Sequence, residues 1–302
     1  MTLPPFTLHR PVTINEATAL LDEYGDDAAF YGGGTEMILL MKLGFADYRH
    51  LIDLKGLAEL CGIQDEGDGL RIGAATTHRT LERSPLVKQR FPALSRMEQG
   101  VANLRVRNAG TIGGNLCFSD PHSDPGTFLL AADATVTCCR GAATRNVSVQ
   151  DFVLGPFQPA LEPGELLTEV RVPWLPAGGV MVHLKFSFRE RPAATVSCMV
   201  RVEDGTVREA RVAVGSVGPV PVRATEAEGL LTGISADDPD PSIVEAAARA
   251  AAEASGATED LNGSAAYKRN LVGVMVRRGL TGALAQVASA LYRLDPAVSW
   301  IC

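Results

Sequence analysis

Tyr31-Gly32-Gly33-Gly34-Thr35-Glu36 joins a predicted strand, residues 28–31, to an apolar helix that ends near Leu43. Glycine lacks a Cβ atom, so backbone N–H groups in such a turn can approach a phosphate closely, and a helix beginning near Thr35 adds the positive end of its dipole. The glycines are contiguous, unlike those of G-x-G-x-x-G, and the lysine of a P-loop is missing. Taken alone, the stretch fits a tight turn as well as an anion site.

A second glycine motif, Gly110-Thr111-Ile112-Gly113-Gly114-Asn115, lies within a stretch rich in Gly, Asn, Asp and Pro over residues 105–126. Its glycines are flanked by a hydroxyl and an amide, groups that suit pyrophosphate and ribityl oxygens, although a loop with ordinary turn chemistry is the alternative. Two such motifs are explained jointly by a long phosphate-bearing ligand held in two separate backbone cradles. Together they favour a dinucleotide cofactor.

The surrounding pattern predicts an α+β chain of three parts. The first 57 residues form a βαβαβ-like unit, with a capping box at Thr13 and Glu16 before its first helix. Residues 58–177 contain strands near 70–74, 134–138 and 166–172. Residues 178–302 have three alternating strands, with Asp204-Gly205 as a hairpin turn, followed by helices near 223–231, 241–255, 263–278 and 281–292.

Composition narrows the classes of function. The chain has 302 residues and a net charge of −7, an acidic excess that argues against a nucleic-acid or anionic-membrane surface. No apolar run approaches a membrane span and no secretion signal is visible, so we expect a cytoplasmic protein. The six cysteines form no CxxC and no Cys/His cluster, so we expect free thiols and no metal site on this chain.

Ordered motifs along nearly the whole chain resemble the FAD-binding medium subunit of the molybdenum hydroxylases, the relatives of carbon monoxide dehydrogenase and xanthine dehydrogenase. The resemblance implies a vanillyl-alcohol-oxidase-type FAD-binding fold, with two α/β subdomains and a C-terminal domain of a three-stranded antiparallel sheet with helices. The implied boundaries are 1–57, 58–177 and 178–302. The resemblance to this family depends on the following segments: Tyr31–Glu36, Ile72–His78, Arg107–Leu116, Asp120–Asp124, Leu166-Leu167, Lys185 with Arg189 and Arg191, Tyr267–Arg269 and Arg277-Arg278.

By the same resemblance, FAD is the cofactor of this chain. A cation at Lys185, in a strand, would lie near the isoalloxazine and favour a reduced, anionic flavin, although a solvent-facing lysine is the alternative. Asp124 either contacts FAD or starts a turn. His78 either approaches the flavin or only helps to begin a helix that Thr77 caps. The implied cofactor-binding residues are Tyr31, Gly32, Gly33, Gly34, Thr35, Glu36, Val101, Thr111, Gly113, Gly114, Asn115, Asp124, Leu167 and Lys185.

The resemblance also implies partners. A large subunit would hold the molybdenum cofactor, a small subunit with [2Fe–2S] clusters would pass electrons to this FAD, and the complex would be a dimer of heterotrimers. Family members with an additional iron–sulfur cluster in this subunit carry an inserted cysteine-rich loop, which this sequence lacks. Two other hypotheses stay open: a self-sufficient FAD oxidoreductase with its own substrate, and a scaffold subunit without cofactor.

Overall fold

The structure is a computed structural model that describes residues 3–294, with side chains described as far as residue 287. These residues form two compact units. The first contains the residues up to Asp120 together with Asp133–Trp174, and the second contains Pro121–Ala132 and the residues from Leu175 onwards. The division into parts 1–57, 58–177 and 178–302 stays a prediction.

The first unit begins with a three-stranded parallel sheet in the order β1-β3-β2. The N-cap at Thr13 is confirmed, since its hydroxyl accepts from the Glu16 N–H, but the Glu16 carboxylate accepts from the Val12 N–H, one residue before the N–H group that a regular capping box uses. Its elements are β1 (Thr7–His9), α1 (Ile14–Tyr24), β2 (Ala28–Tyr31), α2 (Met37–Leu43) and β3 (His50–Asp53).

The rest of the first unit is built on a five-stranded antiparallel sheet in the order β4-β5-β10-β6-β7, with short helices between its strands. The strands predicted near 70, 134 and 166 are confirmed as β5, β6 and β10. The elements are β4 (Ile63–Asp65), β5 (Gly69–Gly73), α3 (His78–Arg83), α4 (Pro85–Arg90), α5 (Pro92–Gly100), α6 (Leu104–Ala109), α7 (Ile112–Phe118), β6 (Thr135–Arg140), β7 (Ala143–Ser148), α9 (Val149–Phe152), β8 (Val153–Gly155), β9 (Gln158–Pro159) and β10 (Leu166–Pro173), with α8 (Asp124–Ala131) in the second unit.

The stretch 105–126, rich in Gly, Asn, Asp and Pro, contains most of α6, all of α7 and the start of α8. Asn103 caps α6, since its side-chain oxygen accepts the N–H groups of Arg105 and Val106, and Thr111 caps α7. Within α7, Gly113 has the protein backbone directly against it, so its lack of a side chain serves close packing and not flexibility.

The second unit has an antiparallel sheet in the order β11-β12-β13-β14, on which α8 and two of the three later helices pack, while the third packs on those two. The antiparallel C-terminal sheet is confirmed, and the structure adds a two-residue fourth strand to the three predicted ones. The hairpin turn is also confirmed, because Asp204 and Gly205 both have positive φ. The elements are β11 (Gly179–Phe186), β12 (Ala194–Glu203), β13 (Thr206–Gly215), β14 (Val222–Arg223), α10 (Thr225–Leu231), α11 (Pro241–Ala254) and α12 (Ala265–Leu294).

One prediction about the C-terminal helices is wrong, because α12 runs unbroken where two helices were expected. Gly279 lies between the two expected helices, 263–278 and 281–292, and Gly282 lies near the start of the second. In the structure a Cβ atom on Gly279 would lie 2.9 Å from the Cys198 sulfur, so this glycine lets the helix approach the sheet closely. None of the described helices is both long enough and apolar enough to cross a bilayer.

Candidate functional site

The first glycine motif follows the carboxyl end of β2, next to the carboxyl end of β3. Parallel sheets bind ligands at this edge, where loops leave the strands. Gly34 has a φ of +66°, a conformation that side chains disfavour, and it lies against the Tyr31 ring. The Lys55 ammonium stands 3.6 Å from the centroid of the Tyr31 ring, 3.3 Å from the Gly32 carbonyl and 2.6 Å from the Asp53 carboxylate. A cation therefore sits beside the motif.

The two glycine motifs contact each other directly. A Cβ atom on Gly33 would lie 2.1 Å from the Ala109 carbonyl oxygen, and one on Gly32 would lie 3.2 Å from the Thr111 hydroxyl. One on Gly110 would lie 3.6 Å from the Thr35 hydroxyl. The expectation of two separate cradles is therefore corrected: glycine at these positions lets two backbone segments, distant in sequence, form one surface.

The N–H groups of the first motif are available to a ligand. Within the described part of the chain, no hydrogen bond uses the backbone N–H groups of Gly32, Gly33, Gly34 or Thr35, and these residues are half-buried. A row of backbone donors in a loop that includes positive φ is typical of anion-binding sites. The motif therefore has the donors and the neighbouring cation that a pyrophosphate needs.

The second motif has its backbone donors already occupied. The N–H groups of Ile112 and Gly113 donate to the carbonyls of Thr76 and Ala74, at 3.0 Å and 2.9 Å. The Gly114 N–H donates to the Thr111 hydroxyl at 3.0 Å, and the Asn115 N–H donates to the Thr111 carbonyl. Four residues of the second motif are predicted to bind the cofactor. Of these, Thr111 and Gly113 are buried, Asn115 is half-buried and Gly114 is exposed. The second motif supplies a wall for the first, and only its Gly114–Asn115 end is accessible.

Two apolar residues of the predicted site lie inside the first unit. Val101 is 6% exposed and precedes a turn at Ala102, whose carbonyl, like that of Val101, accepts from the Arg107 guanidinium. Leu167 is 2% exposed and faces Cys138 across β10 and β6. Protein atoms cover both side chains. Their burial therefore gives no support to the flavin contacts that the resemblance implies, and these contacts stay predictions.

His78 is explained by packing. Its Nδ1 lies 2.7 Å from the Glu98 carboxylate, and both side chains are almost wholly buried, which ties α3 to α5. Thr77 caps α3 by accepting from the Thr80 N–H, as predicted. We therefore assign His78 a structural role.

Asp124 and Lys185, predicted separately, form an ion pair within the second unit. Asp124 is the first residue of α8, Lys185 lies on β11, and the Lys185 ammonium is 2.8 Å from the Asp124 carboxylate. The same ammonium donates to the Glu190 carbonyl at 3.0 Å. The lysine is thus held at a defined place and is not a mobile solvent-facing side chain.

Sequence reasoning missed several polar residues of this unit. His183 and Ser197 lie next to the Asp124–Lys185 pair, and the alternation of β11 could have indicated His183, two residues before Lys185. His122 is half-buried: Nδ1 lies 3.0 Å from the Pro192 carbonyl oxygen and Nε2 lies 3.2 Å from the Asp260 carboxylate. Asp260 also pairs with the buried Lys268 at 2.7 Å.

The cysteines agree with free thiols where they are described. Cys61, Cys117, Cys138, Cys139 and Cys198 are unpaired, and Cys302 lies outside the described residues. Burial raises the pKa of the Cys117 thiol to about 12, so this residue of α7 is a neutral thiol near pH 7. Among the described residues, no group of three or more His, Cys, Asp or Glu side chains could hold a metal ion.

Comparison with known proteins agrees with this arrangement. A family model described as the FAD binding domain in molybdopterin dehydrogenase matches residues 4–175, and one described as the CO dehydrogenase flavoprotein C-terminal domain matches residues 189–283. The fold and the paired glycine motifs therefore define an FAD-binding flavoprotein.

Relatives cover almost the whole chain. The carbon monoxide dehydrogenase medium chain of Hydrogenophaga pseudoflava is 36% identical over 94% of this chain and 99% of its own length. Subunit alpha of the 6-hydroxypseudooxynicotine dehydrogenase complex of Paenarthrobacter nicotinovorans is 31% identical, with 94% of each chain covered. A solved structure of the Hydrogenophaga carbon monoxide dehydrogenase superposes with a TM-score of 0.90, covering 94% of this chain and 99% of that one. The chain belongs to the family of FAD-binding medium subunits of molybdenum hydroxylases and is an oxidoreductase subunit, which confirms the resemblance and the fold class.

Proposed function

We propose that this chain binds FAD with its pyrophosphate on the first glycine motif and serves as the electron-transfer subunit of a molybdenum hydroxylase complex. The observation that carries the proposal is the row of unoccupied N–H groups over Gly32–Thr35, seated on the second motif and flanked by Lys55. Donors and a cation fixed before the ligand arrives lower the cost of ordering the site on binding.

Each predicted residue then has a role in this proposal. Tyr31 and Glu36 lie at the two ends of the first glycine motif, on which the pyrophosphate would rest. Thr111 and Gly113 form the wall beside it, and Gly114 and Asn115 form the part of the second motif that a ligand can reach. Val101, Leu167, Asp124 and Lys185 are proposed neighbours of the flavin on the strength of the family resemblance. When bound, the flavin supplies the capacity to accept and release electrons, and the protein supplies binding, orientation and electrostatic tuning.

The proposed electron path runs from [2Fe–2S] clusters on a small partner subunit to this FAD and then to an external acceptor. A large partner subunit would hold the molybdenum cofactor and the substrate, and the assembly would be a cytoplasmic dimer of heterotrimers. The relatives support this division of labour, because chains of similar length and fold serve enzymes named for carbon monoxide and for 6-hydroxypseudooxynicotine. A shared subunit with unlike substrates fits chemistry that takes place on another chain.

Reconstitution with flavins tests the cofactor part of the proposal. The full chain is titrated with FAD, FMN and riboflavin while flavin absorbance and fluorescence are followed. Because FMN and riboflavin lack the pyrophosphate, we expect FAD to bind at least about 100-fold more tightly, equivalent to roughly 2.7 kcal/mol. Equal affinity for the three flavins, or no binding of FAD, would contradict the proposal and favour a cofactor-free scaffold.

Purification from the native source tests the partner part. The chain is tagged, and the complex is analysed for subunits, FAD, iron and molybdenum. We expect two further subunits and a fixed ratio of both metals to FAD. Turnover of an organic donor by the isolated FAD-loaded chain, without partners, would instead favour the self-sufficient oxidoreductase.

A further inference from the structure

A buried row of polar side chains in the second unit leads to the Asp124–Lys185 pair. His183 and Lys185 are two residues apart on β11, so they lie on the same face of the sheet. The strand register places Ser197 of β12 directly opposite His183. Helix α8, which begins at Asp124, packs on β12 and β13. Phe128 of this helix presents its ring to the His183 imidazole, edge to face, with centroids 6.0 Å apart.

The distances define an ordered row with one loose link. The Ser197 hydroxyl oxygen lies 2.8 Å from His183 Nδ1, and the Asp124 Oδ2 atom lies 2.8 Å from the Lys185 ammonium. Between these two hydrogen bonds, His183 Nε2 and Asp124 Oδ1 face each other at 3.5 Å. This separation exceeds the usual N–H···O range by a few tenths of an ångström.

The two atoms at the loose link lack other partners. The side chains of His183 and Asp124 are 6% and 4% exposed, and within the described residues neither Nε2 nor Oδ1 has a hydrogen-bond partner. An unsatisfied buried donor or acceptor is costly, and native proteins rarely keep one. A small approach of the two groups satisfies both atoms at once.

A carboxylate oxygen accepts, so a hydrogen bond to Asp124 Oδ1 requires the imidazole proton on Nε2, and the Ser197 hydroxyl, which can donate or accept, is compatible with this tautomer. For Nε2 to donate to the carboxylate, Nδ1 of a neutral imidazole must accept, and the Ser197 hydroxyl is the donor placed to satisfy it. Ser197 is fully buried in the sheet, so the Ser–His–Asp order is not that of a hydrolase, whose nucleophile must reach a substrate. The row ends instead on Lys185.

We propose that His183 is a positioning residue for Lys185. The His183 Nε2–H group donates a hydrogen bond to Asp124 Oδ1. This bond holds the carboxylate in the orientation in which Oδ2 accepts a hydrogen bond from the Lys185 ammonium. The charged groups that face the imidazole are Asp124 of α8 and, through it, Lys185 of its own strand. The inference rests on the proposed function, in which the Lys185 cation lies beside the flavin and stabilises the negative charge gained on reduction.

Three variants at one position separate positioning from packing. His183→Gln carries an amide N–H to the place of Nε2, His183→Asn carries one only to the place of Nδ1 and keeps the contact with Ser197, and His183→Leu removes both. Lys185→Met gives the full effect of losing the cation. We expect Lys185→Met to lower the midpoint potential of bound FAD, the Asn and Leu variants to lower it by a large part of that shift, and His183→Gln to stay near the wild type.

A second readout needs no flavin. In the apo chain labelled with ¹⁵N at lysine side chains, an ammonium held in a buried ion pair exchanges its protons slowly and gives an observable signal, which Lys185→Met identifies. We expect this signal to persist in His183→Gln and to vanish in His183→Asn. The matched control is His50→Gln, at a half-buried histidine of the first unit whose ring bonds His9, and it should change neither readout.

The outcomes separate the two proposals. If the wild type binds FAD and Lys185→Met shifts its potential, but the Asn and Leu variants match the wild type in potential and ammonium signal, the role of His183 is refuted while the proposed function stands. If the wild type binds no FAD, the proposed function fails, and the ammonium signal still decides whether His183 holds Lys185. Equal loss in the Gln and Asn variants would show that packing, not the Nε2 donor, matters.

Discussion

The two glycine motifs of the first unit contain similar residues but differ in how their backbone N–H groups are used. In the first, the backbone donors of Gly32–Thr35 have no partner within the described chain. In the second, the N–H groups from Ile112 to Asn115 all donate to protein acceptors. Gly33 and Gly113 nevertheless share one property, since a Cβ atom on either would overlap a neighbouring backbone segment. A glycine-rich motif therefore does not by itself identify a phosphate site, and these two motifs differ in whether their N–H groups are available to a ligand.

The largest effect is expected where the two motifs meet, at Gly33. In Gly33→Ala the new methyl group would lie 2.1 Å from the Ala109 carbonyl oxygen, so the motifs must separate. Overpacking costs about 1–3 kcal/mol or more, and the displaced N–H groups would lose their common direction. We expect FAD affinity, measured by fluorescence titration, to fall at least about 100-fold. The control Gly56→Ala, in the same unit with open space around the Cβ position, should bind like the wild type. Normal FAD binding by Gly33→Ala would show that the contact between the motifs is not needed.

The matching change in the second motif should damage stability more than binding. In Gly113→Ala the methyl group would lie 2.6 Å from the Ala74 Cβ and 2.8 Å from the Ala74 carbonyl oxygen, both inside the first unit. We expect the free energy of unfolding, from denaturant titration, to fall by about 1–3 kcal/mol, while the protein that remains folded binds FAD within a few-fold of the wild type. A loss of affinity as large as that of Gly33→Ala, with stability unchanged, would mean that the second motif grips the ligand directly.

The sequence predicted the glycine motifs, the antiparallel C-terminal sheet and the family, because these depend on local patterns and ordered motifs. It could not predict that Gly33 rests on Ala109 or that Ile112 donates to Thr76, since such contacts join segments far apart in the chain. The unbroken helix α12 was missed for a related reason. Gly279 resembles a helix breaker until the Cys198 sulfur beside it is known.

A smaller effect is expected at the cap of α7. The Thr111 hydroxyl accepts from the Gly114 N–H, so Thr111→Val removes the cap while keeping the shape of the side chain. The loss of an N-cap costs about 1 kcal/mol, and thermal unfolding would measure it. Thr111→Ser keeps the hydroxyl and should retain most of the stability. If the Gly114 N–H is only a structural donor, as the comparison of the two motifs indicates, FAD affinity changes little in either variant. A selective rise in FAD affinity in Thr111→Val would instead reveal that freeing this N–H creates a phosphate donor.

The smallest effect concerns the cation beside the first motif. Lys55 is held by the Asp53 carboxylate, the Tyr31 ring and the Gly32 carbonyl, and its side chain is 44% exposed, so solvent weakens its attraction for an anion. An ion pair at an exposed site contributes about 0.2–1 kcal/mol. We therefore expect Lys55→Met to weaken FAD binding by at most about 5-fold at low salt, with the difference from the wild type shrinking as salt is added. Lys42→Met, at an exposed lysine of α2, controls for the loss of charge alone. A fall as large as that of Gly33→Ala would mean that the lysine, and not the row of backbone donors, carries the affinity of the first motif. An equal fall in Lys42→Met would reduce the effect to general electrostatic attraction.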